Sequence, residues 1–314
     1  MPDWLIERGI GESRAVRIEN GEILEARIQL EGIVRAGSVL QARLKKVGVP
    51  AVAVVDGEEF LLPKGATGRT EGSTVAVEVT REAIPGAEPW KRPLARLASA
   101  EVSDVSAIDA TEVPFPAPGD ALASAGWDDL IDEARSGIVR FAGGELRVSP
   151  TPAMTLIDVD GTLPAYDLAL AGAQAAARTI CRHDIGGSIG VDLPTIAGKA
   201  QRQAIGEAVD AILPQPFERT AVNGFGFLQI VRPRRRASTF ELAADRAAFE
   251  ARALLRRVAL DRPGAKQIAA HPAVIAVLER RKDWIDMLER QIGGAITLRS
   301  DPSLPIHGGY AESR

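Results

Sequence analysis

Two short apolar runs that each close on an aspartate constrain the fold of this chain most. The runs are Met154-Thr155-Leu156-Ile157-Asp158-Val159-Asp160-Gly161 and Ser188-Ile189-Gly190-Val191-Asp192. Between them lies an alanine-rich segment, Leu168 to Arg182, which predicts a helix with Asp167 as its N-cap. Strand, helix and strand in this order form a βαβ unit with parallel neighbouring strands. We therefore expect the carboxylates of the two runs to meet at one edge of a buried sheet.

Such a pair of carboxylates suits one hard cation. Asp158 and Asp192 would supply two oxygen ligands from neighbouring strand ends. Mg²⁺ usually takes one or two protein carboxylates and fills its other positions with water and substrate phosphate. The sequence therefore predicts a magnesium site, with Mn²⁺ as the alternative ion. The competing interpretation is that each aspartate only caps the turn that follows it.

One local resemblance supports a different chemistry. The segment Leu156 to Leu163, LIDVDGTL, resembles the nucleophile loop of the haloacid-dehalogenase phosphatase superfamily. That resemblance implies that Asp158 attacks phosphorus and that Asp160 acts as general acid and base. No downstream Gly-Asp-x-x-x-Asp segment completes that metal site. A phosphatase is therefore the alternative function.

A wider resemblance covers segments spread over most of the chain. The segments that resemble the ribonuclease E/G family are a hairpin from Ile6 to Ile28 with an Asn20-Gly21 turn, Gly143 to Asp158, Arg182 to Asp192, Asn223 to Arg234, Pro272 to Arg280 and Leu288 to Leu298. Their order and spacing fit that family. We therefore prefer this interpretation.

The resemblance implies an α+β fold with an RNase H-like or DNase I-like catalytic α/β core. The expected divisions are an amino-terminal β-hairpin joining that core (1–32), a shortened OB-type β-barrel that binds RNA (33–97), a linker with a short helix (98–136), the catalytic domain (137–237), and a small carboxy-terminal α/β domain with a loose tail from 301 (238–314). Some forty residues at 98–136 are too few for the 5′-end sensor of longer relatives, so no stimulation by a 5′-monophosphate is expected.

The implied activity is Mg²⁺-dependent endonucleolytic cleavage of single-stranded RNA to 5′-phosphate and 3′-hydroxyl products. Asp158 and Asp192 fall on the metal-binding carboxylates, and Asp160 falls where the family usually has an asparagine that orients metal-bound water. The departures from the family pattern are Thr195 for an acidic residue, Gln229 for a glutamate and Ala169 for an asparagine. They leave open a third interpretation, an RNA-binding relative that has lost its chemistry.

Several basic residues are candidate phosphate contacts. Arg232, Arg234, Arg235 and Arg236 follow a predicted strand, and we expect them close to the metal edge; Lys199 and Arg202 begin the helix after Asp192. In the barrel, the candidates are Phe60 for base stacking and Lys91 and Arg92 just beyond, with Trp90 beside them. A solvated charge run is the alternative. The net charge of −4 argues mildly against nucleic acid.

Composition bounds the remaining choices. The chain is 314 residues long and 46% hydrophobic, enough for two or three domains, and it has neither a signal-peptide pattern nor a membrane-length apolar run. These features predict a cytoplasmic protein. The single cysteine, Cys181, lies in the predicted helix and cannot form the zinc link of longer relatives, so an oligomer would use another surface, for which the helix begun by Ser238-Thr239-Phe240-Glu241 is the candidate. His183 is expected to face solvent or the helix dipole.

Overall fold

The computed structural model describes residues 4–86, 91–99, 102–103, 110–117 and 119–313, so Trp90 and the first three residues lie outside the described part. The strands in the described part are β1 (Trp4–Arg8), β2 (Glu12–Glu19), β3 (Glu22–Leu30), β4 (Val39–Lys46), β5 (Ala51–Val55), β6 (Glu58–Leu62), β7 (Thr74–Arg81), β8 (Leu94–Leu97), β9 (Thr111–Val113), β10 (Ile138–Phe141), β11 (Gly144–Pro150), β12 (Thr155–Gly161), β13 (Gly187–Asp192), β14 (Glu218–Arg219), β15 (Phe227–Arg232), β16 (Lys266–Ala270), β17 (Ile296–Ser300) and β18 (Tyr310–Ser313).

The helices of the described part are α1 (Ala121–Ser124), α2 (Trp127–Ser136), α3 (Ala165–Arg182), α4 (Lys199–Asp210), α5 (Thr239–Ala244), α6 (Arg246–Leu260), α7 (Pro272–Arg280) and α8 (Lys282–Ile292). Among these described helices, none combines the length and the apolar character that a membrane span requires. The chain is a mixed α and β protein, as the sequence predicts.

The amino-terminal hairpin forms its own sheet. Asn20 and Gly21 have φ angles of 53° and 82°, which confirms the two-residue turn predicted between β2 and β3. The sheet order is β3-β2-β1-β9, so the short strand β9 pairs with β1, and among the described strands this sheet is separate from the six-stranded one. Buried side chains such as Val16, Ile23 and Ala26 instead share the hydrophobic core around α3.

The candidate site lies on a six-stranded sheet of order β10-β11-β12-β13-β15-β14. The parallel pairing of β12 with β13, joined by α3, confirms the predicted βαβ unit. The helix begins at Ala165, earlier than expected, because Leu168 N–H donates to the carbonyl of Pro164. Asp167 therefore lies in the first turn and is not the N-cap, where its charge still favours the helix N-terminus.

This sheet has one covered and one exposed face. Ile157, Val159 and Val191 point towards α3 and are buried in the main core. The alternate positions point away, and Leu156 and Val231 on that side are 39% and 48% exposed. We call this exposed side the open face.

A closed five-stranded barrel of order β4-β5-β6-β8-β7 follows the hairpin and confirms the expected small barrel. Its strand β6 runs parallel to β8, and its other pairings are antiparallel. Phe60, Leu44 and Val77 fill its interior. The barrel thus has a hydrophobic core of its own.

The carboxy-terminal unit packs α6, α7 and α8 on a three-stranded sheet of order β17-β16-β18. The prediction of a loose tail from 301 is wrong for the described residues, because β18 pairs with β16 from Ala269↔Tyr310 to Lys266↔Ser313. The capping box of Ser238 and Glu241 is confirmed at the start of α5. Phe240 of that helix is buried in the main core, so the proposed oligomer surface is largely used within the chain.

Candidate metal and nucleic-acid site

Asp158 and Asp192 are direct neighbours across the sheet. They form the last pair of the parallel ladder between β12 and β13. Neighbouring strands lie about 4.8 Å apart, and paired residues project from the same face. Both side chains are exposed. The predicted meeting of the two carboxylates at one end of the parallel ladder is therefore confirmed by the strand register.

The carboxylates project from the open face and not from a loop beyond the strands. The strand β12 continues past Asp158 to Gly161, because β11 pairs with it antiparallel as far as Gly144↔Gly161. Asp160 therefore projects from the same face two residues further along β12. The register creates a row in which Arg147, Asp158, Asp192 and Phe227 follow one another across four strands.

The electrostatics of this row favour a cation. Partial burial raises the pKa of the Asp158 carboxyl, and the negative charges of Asp160 and Asp192 raise it further. Arg147 opposes this shift, and its Nε lies 3.8 Å from an oxygen of Asp160, while its Nη2 donates to Glu145 at 2.7 Å. Arg147 is thus shared among the carboxylates of Glu145, Asp158, Asp160 and Asp192. It compensates the repulsion between them only partly.

The donor set fits Mg²⁺ or Mn²⁺ with two protein ligands. Within the described ranges, no three histidine, cysteine, aspartate or glutamate side chains are grouped so that they could hold a metal ion alone. Asp158 and Asp192 would contribute two oxygen ligands, with the remaining positions left for water and a substrate phosphate, which is the usual pattern for Mg²⁺.

A tight turn beside Asp192 presents an aromatic ring that the sequence analysis did not single out. In the turn 223–226, the Asn223 side chain accepts hydrogen bonds from the backbone N–H groups of Phe225 and Phe227 at 2.9 and 3.0 Å. The Phe225 side chain is 84% exposed. The only sequence signal is a phenylalanine between two glycines in a predicted turn, which is typical of loops generally.

The three departures from the family pattern occupy different places. Gln229 lies on the open face, where its amide donates to Ser188 Oγ at 3.2 Å. Thr195 lies beyond Asp192, and its hydroxyl donates to the Phe225 carbonyl at 3.3 Å. Ala169 is fully buried in α3 on the other side of the sheet. A side chain at position 169 therefore faces away from the carboxylates.

Arg232, Arg234, Arg235 and Arg236 form a run that we call the arginine run. The expectation that this run lies close to the metal edge is wrong. Arg232 pairs with Gly187 at the opposite end of β13, five strand positions from Asp192 and thus roughly 16 Å away. The cause is the antiparallel direction of β15, which carries the chain away from the carboxylates.

Most of this run serves internal contacts. Arg232 donates to the carbonyl of Ile185 at 3.1 Å, and Arg234 forms an ion pair with Glu241. Arg236 pairs with Asp184 at 2.8 Å. Burial and then the positive charge of Arg234 lower the pKa of Arg81, which places the end of the barrel next to the run. Arg235 is the exposed member.

The remaining predicted RNA contacts divide into exposed and structural residues. Lys199 is exposed at the start of α4, whereas Arg202 donates to the carbonyls of Ile196 and Ala197 at 2.8 and 2.6 Å. Arg92 is exposed but pairs with Glu59 at 2.5 Å, and the ammonium of Lys91 donates to the Pro152 carbonyl at 3.4 Å. The Lys91 contact joins the segment before β8 to the loop after β11, whereas the Arg92 pair lies within the barrel.

Phe60 is not a stacking surface. Its side chain is 0% exposed in the barrel core, because β6 alternates inward and outward residues and Phe60 points inward with Leu62. The base-stacking role expected for Phe60 is therefore wrong.

His183 is fully buried, so the expectation that it faces solvent is wrong. Its Nδ1 lies 2.6 Å from Thr239 Oγ1 and its Nε2 lies 2.9 Å from Glu133 Oε2. Burial lowers its pKa, and the Glu133 contact only partly opposes that shift. Burial likewise raises the pKa of Cys181 to about 11, which makes this thiol a poor nucleophile.

Comparison of the chain with protein-family models and with curated proteins found no match.

Proposed function

We propose that this protein is a metal-dependent endoribonuclease of the cytoplasm that cleaves single-stranded RNA to 5′-phosphate and 3′-hydroxyl products. The observation that carries the proposal is the direct pairing of Asp158 with Asp192 on the open face of the sheet. A cation shared between these two adjacent, exposed carboxylates would relieve the repulsion that Asp192 and Asp160 exert on Asp158.

The fold supports the same proposal. The barrel order β4-β5-β6-β8-β7, with its one parallel pairing, is that of an OB-type barrel, a fold that holds single-stranded nucleic acid. We propose that the α/β unit with its exposed sheet face is the RNase H-like or DNase I-like core that the resemblance to the ribonuclease E/G family implies.

The chain's own residues would perform binding and orientation. Asp158 and Asp192 would hold a Mg²⁺ or Mn²⁺ ion. Asp160 would accept a hydrogen bond from a water molecule at that site and so orient the water. Arg147 would offer its guanidinium to a phosphate that enters the row. Lys199 and Arg235, both exposed, would contact phosphates further along the strand, without reading its sequence.

A bound Mg²⁺ would supply Lewis-acid activation of the scissile phosphate and a reactive hydroxide at neutral pH. No Ser-His-Asp or Cys-His set is needed for that chemistry. The burial of His183 and the raised pKa of Cys181 agree with this assignment.

The test is cleavage of an internally labelled single-stranded oligoribonucleotide, with Mg²⁺ and with chelator, beside hydrolysis of para-nitrophenyl phosphate. We expect Mg²⁺-dependent cutting of RNA and no release of nitrophenol. Asp192→Asn should reduce cutting by at least about 100-fold, more than the loss of an outer-shell partner of a metal, while RNA binding is retained. Glu218→Gln is the matched control, since Glu218 is an exposed carboxylate at the far edge of the same sheet.

Three results would contradict the proposal in different ways. Hydrolysis of the ester without cutting of RNA would support the phosphatase with Asp158 as nucleophile. Tight retention of RNA without cutting would support a binding protein that has lost its chemistry. Normal cutting by Asp192→Asn would show that the site is misplaced.

A further inference from the structure

Phe225 is unusual for its exposure. Phenylalanine is among the residues that proteins bury most, yet this side chain is 84% exposed, more than any other large apolar side chain of the described residues. A single exposed apolar residue is common and does not by itself indicate a function. Phe225 is of interest because its turn is fixed by hydrogen bonds and lies beside the carboxylates.

The turn that carries Phe225 is held on both sides of the ring. Asn223 Oδ1 accepts from the Phe225 backbone N–H, and the Thr195 hydroxyl donates to the Phe225 carbonyl. Gly226 N–H donates to the Asn223 carbonyl at 3.2 Å, and Leu193 N–H donates to the Gly226 carbonyl at 3.2 Å. Both backbone polar groups of Phe225 are thus satisfied, and the ring is presented with little backbone freedom.

These hydrogen bonds fix the turn next to the carboxylate row. Leu193 follows Asp192 directly, and Phe227 is the cross-strand partner of Asp192. The Phe227 ring lies over Gly190, where a Cβ atom would be only 2.5 Å from the ring, and Leu156 borders the same spot. Apolar surface and carboxylates therefore adjoin each other on the open face.

A ligand that fits this combination has a flat apolar group joined to an anionic group that a cation can bridge to carboxylates. A nucleotide has both. A protein partner fits less well, because covering the apolar rings would also remove Asp158, Asp160 and Glu145 from water, and Arg147 is the one cation of the described row. A stable protein interface would also bury about 800 Å² on each side.

We propose that Phe225 is the stacking residue for an unpaired nucleobase adjacent to the phosphate that a divalent ion would bridge to Asp158 and Asp192. The inference rests on the proposed function and specifies its substrate: the strand must present an unstacked base at this point, so single-stranded segments are cut and duplexes are not. Every base has a face that can stack on a ring, so little base preference is expected.

Binding is measured first, with Ca²⁺ in place of Mg²⁺ so that a divalent ion can still bridge a phosphate to the carboxylates, by the fluorescence of 2-aminopurine in a single-stranded oligoribonucleotide. Stacking on Phe225 should quench that fluorescence when the wild-type protein binds. Phe225→Ala and Phe225→Leu should both weaken binding by about tenfold and remove the quenching attributable to the ring, and Phe225→Trp should restore it. Val231→Ala, which removes exposed apolar surface elsewhere on the open face, should change neither quantity.

Cleavage with Mg²⁺ then separates this inference from the proposed function. If wild-type protein cuts RNA and Phe225→Ala binds and cuts equally well, the stacking role is overturned while the nuclease stands. If Phe225→Leu equals wild type, the contact is apolar and not stacking, which also overturns it. If wild type neither binds nor cuts RNA, both fail. Sedimentation of wild type and Phe225→Ala tests the alternative that a second copy of the chain covers Phe225. A change in oligomer mass would assign Phe225 to that contact and overturn the stacking role.

Discussion

At the scale of single residues, the chemistry depends on charges that are close together and poorly compensated. Asp158 has a raised pKa because partial burial and the charges of Asp160 and Asp192 all disfavour its ionised form. Arg147 is the cation of the row, and it is shared with Glu145. A divalent cation would relieve the repulsion and stabilise the folded state by its own binding.

Removal of one carboxylate should abolish stabilisation by the ion. For wild type, saturating Mn²⁺ should raise the melting temperature by a few degrees, because about 2.7 kcal/mol is gained at 100 times Kd. Asp192→Asn should lose that rise. Glu218→Gln should keep it. Differential scanning calorimetry with and without Mn²⁺ measures the effect, and an equal rise in all three proteins would place the ion elsewhere.

Ion binding should depend on pH in a defined direction. The folded protein holds the Asp158 proton above the ordinary carboxyl pKa near 3.8, so the proton competes with the ion in that range. We expect the apparent affinity for Mn²⁺ to fall as the pH is lowered through the raised pKa of Asp158. In the absence of ion, the same group slightly favours folding at low pH. Titration calorimetry at several pH values measures the affinity, and an affinity independent of pH would contradict the assignment.

At the scale of elements, the turn 223–226 and the carboxy-terminal end of α3 are the places where the structure adds most to the sequence. The βαβ unit, the Asn20-Gly21 turn and the Ser238 capping box follow from local patterns, and the structure confirms all three. The exposed turn at Phe225 and the buried environment of His183 depend on contacts with distant segments. Local patterns carry no signal for such contacts.

The turn 223–226 should tolerate a side chain at one glycine and not at the other. Gly226 has φ +93°, and a Cβ atom there would be 2.1 Å from the Leu193 carbonyl oxygen. Gly226→Ala should therefore cost about 1–3 kcal/mol and shift the segment after Asp192. At Gly224 a Cβ atom would meet no atom within 4 Å, so Gly224→Ala is the matched control. Chemical denaturation compares the two, and equal stability would contradict the geometry of the turn.

His183 should make the folded state sensitive to acid. It lies at the end of α3 between Glu133 of α2 and Thr239 of α5, and burial lowers its pKa below the usual 6.5. The unfolded chain then binds the proton more readily, so this contribution to stability is complete above pH 6.5 and is lost as the pH falls towards the lowered pKa. His183→Gln should be less stable at neutral pH and should show a weaker loss in acid. Urea unfolding at pH 5 and pH 7.5 measures both. An unchanged pH dependence would assign the acid sensitivity to other groups.

At the scale of the whole molecule, three hydrophobic cores are joined by ionic contacts. A buried network connects the amino-terminal sheet with α6: Glu7 accepts from Arg14 at 2.7 Å and from Arg256 at 3.0 Å, and Arg256 also reaches Asp120. The segment after the barrel strand β7 lies beside the end of the six-stranded sheet that is opposite the carboxylates. There the backbone N–H of Glu82 donates to the Arg235 carbonyl, and Arg236 lies 3.6 Å from the Glu82 carboxylate. The way in which these units join was the least predictable part of the structure. The sequence predicts the arginine run as phosphate contacts, whereas Arg234 and Arg236 form ion pairs within the chain.

The buried network predicts a large difference between two glutamates of the same region. Glu7→Ala leaves Arg14 and Arg256 buried beside a missing partner and should cost about 3–5 kcal/mol. Glu112→Ala removes an ion pair with Arg8 whose side chains are 57% and 50% exposed, and it should cost about 0–1 kcal/mol. Thermal unfolding of both variants tests the claim. A small effect of Glu7→Ala would mean that the network does not hold the two units together.

The central claim, that Asp158 and Asp192 hold one divalent ion, is tested most directly by the anomalous signal of Mn²⁺ in crystals soaked with that ion. The account predicts one strong peak within about 2.2 Å of an oxygen of each of the two carboxylates, on the open face of the sheet. A structure at saturating Mn²⁺ with no peak between them, or with the ion bound to only one, would contradict it.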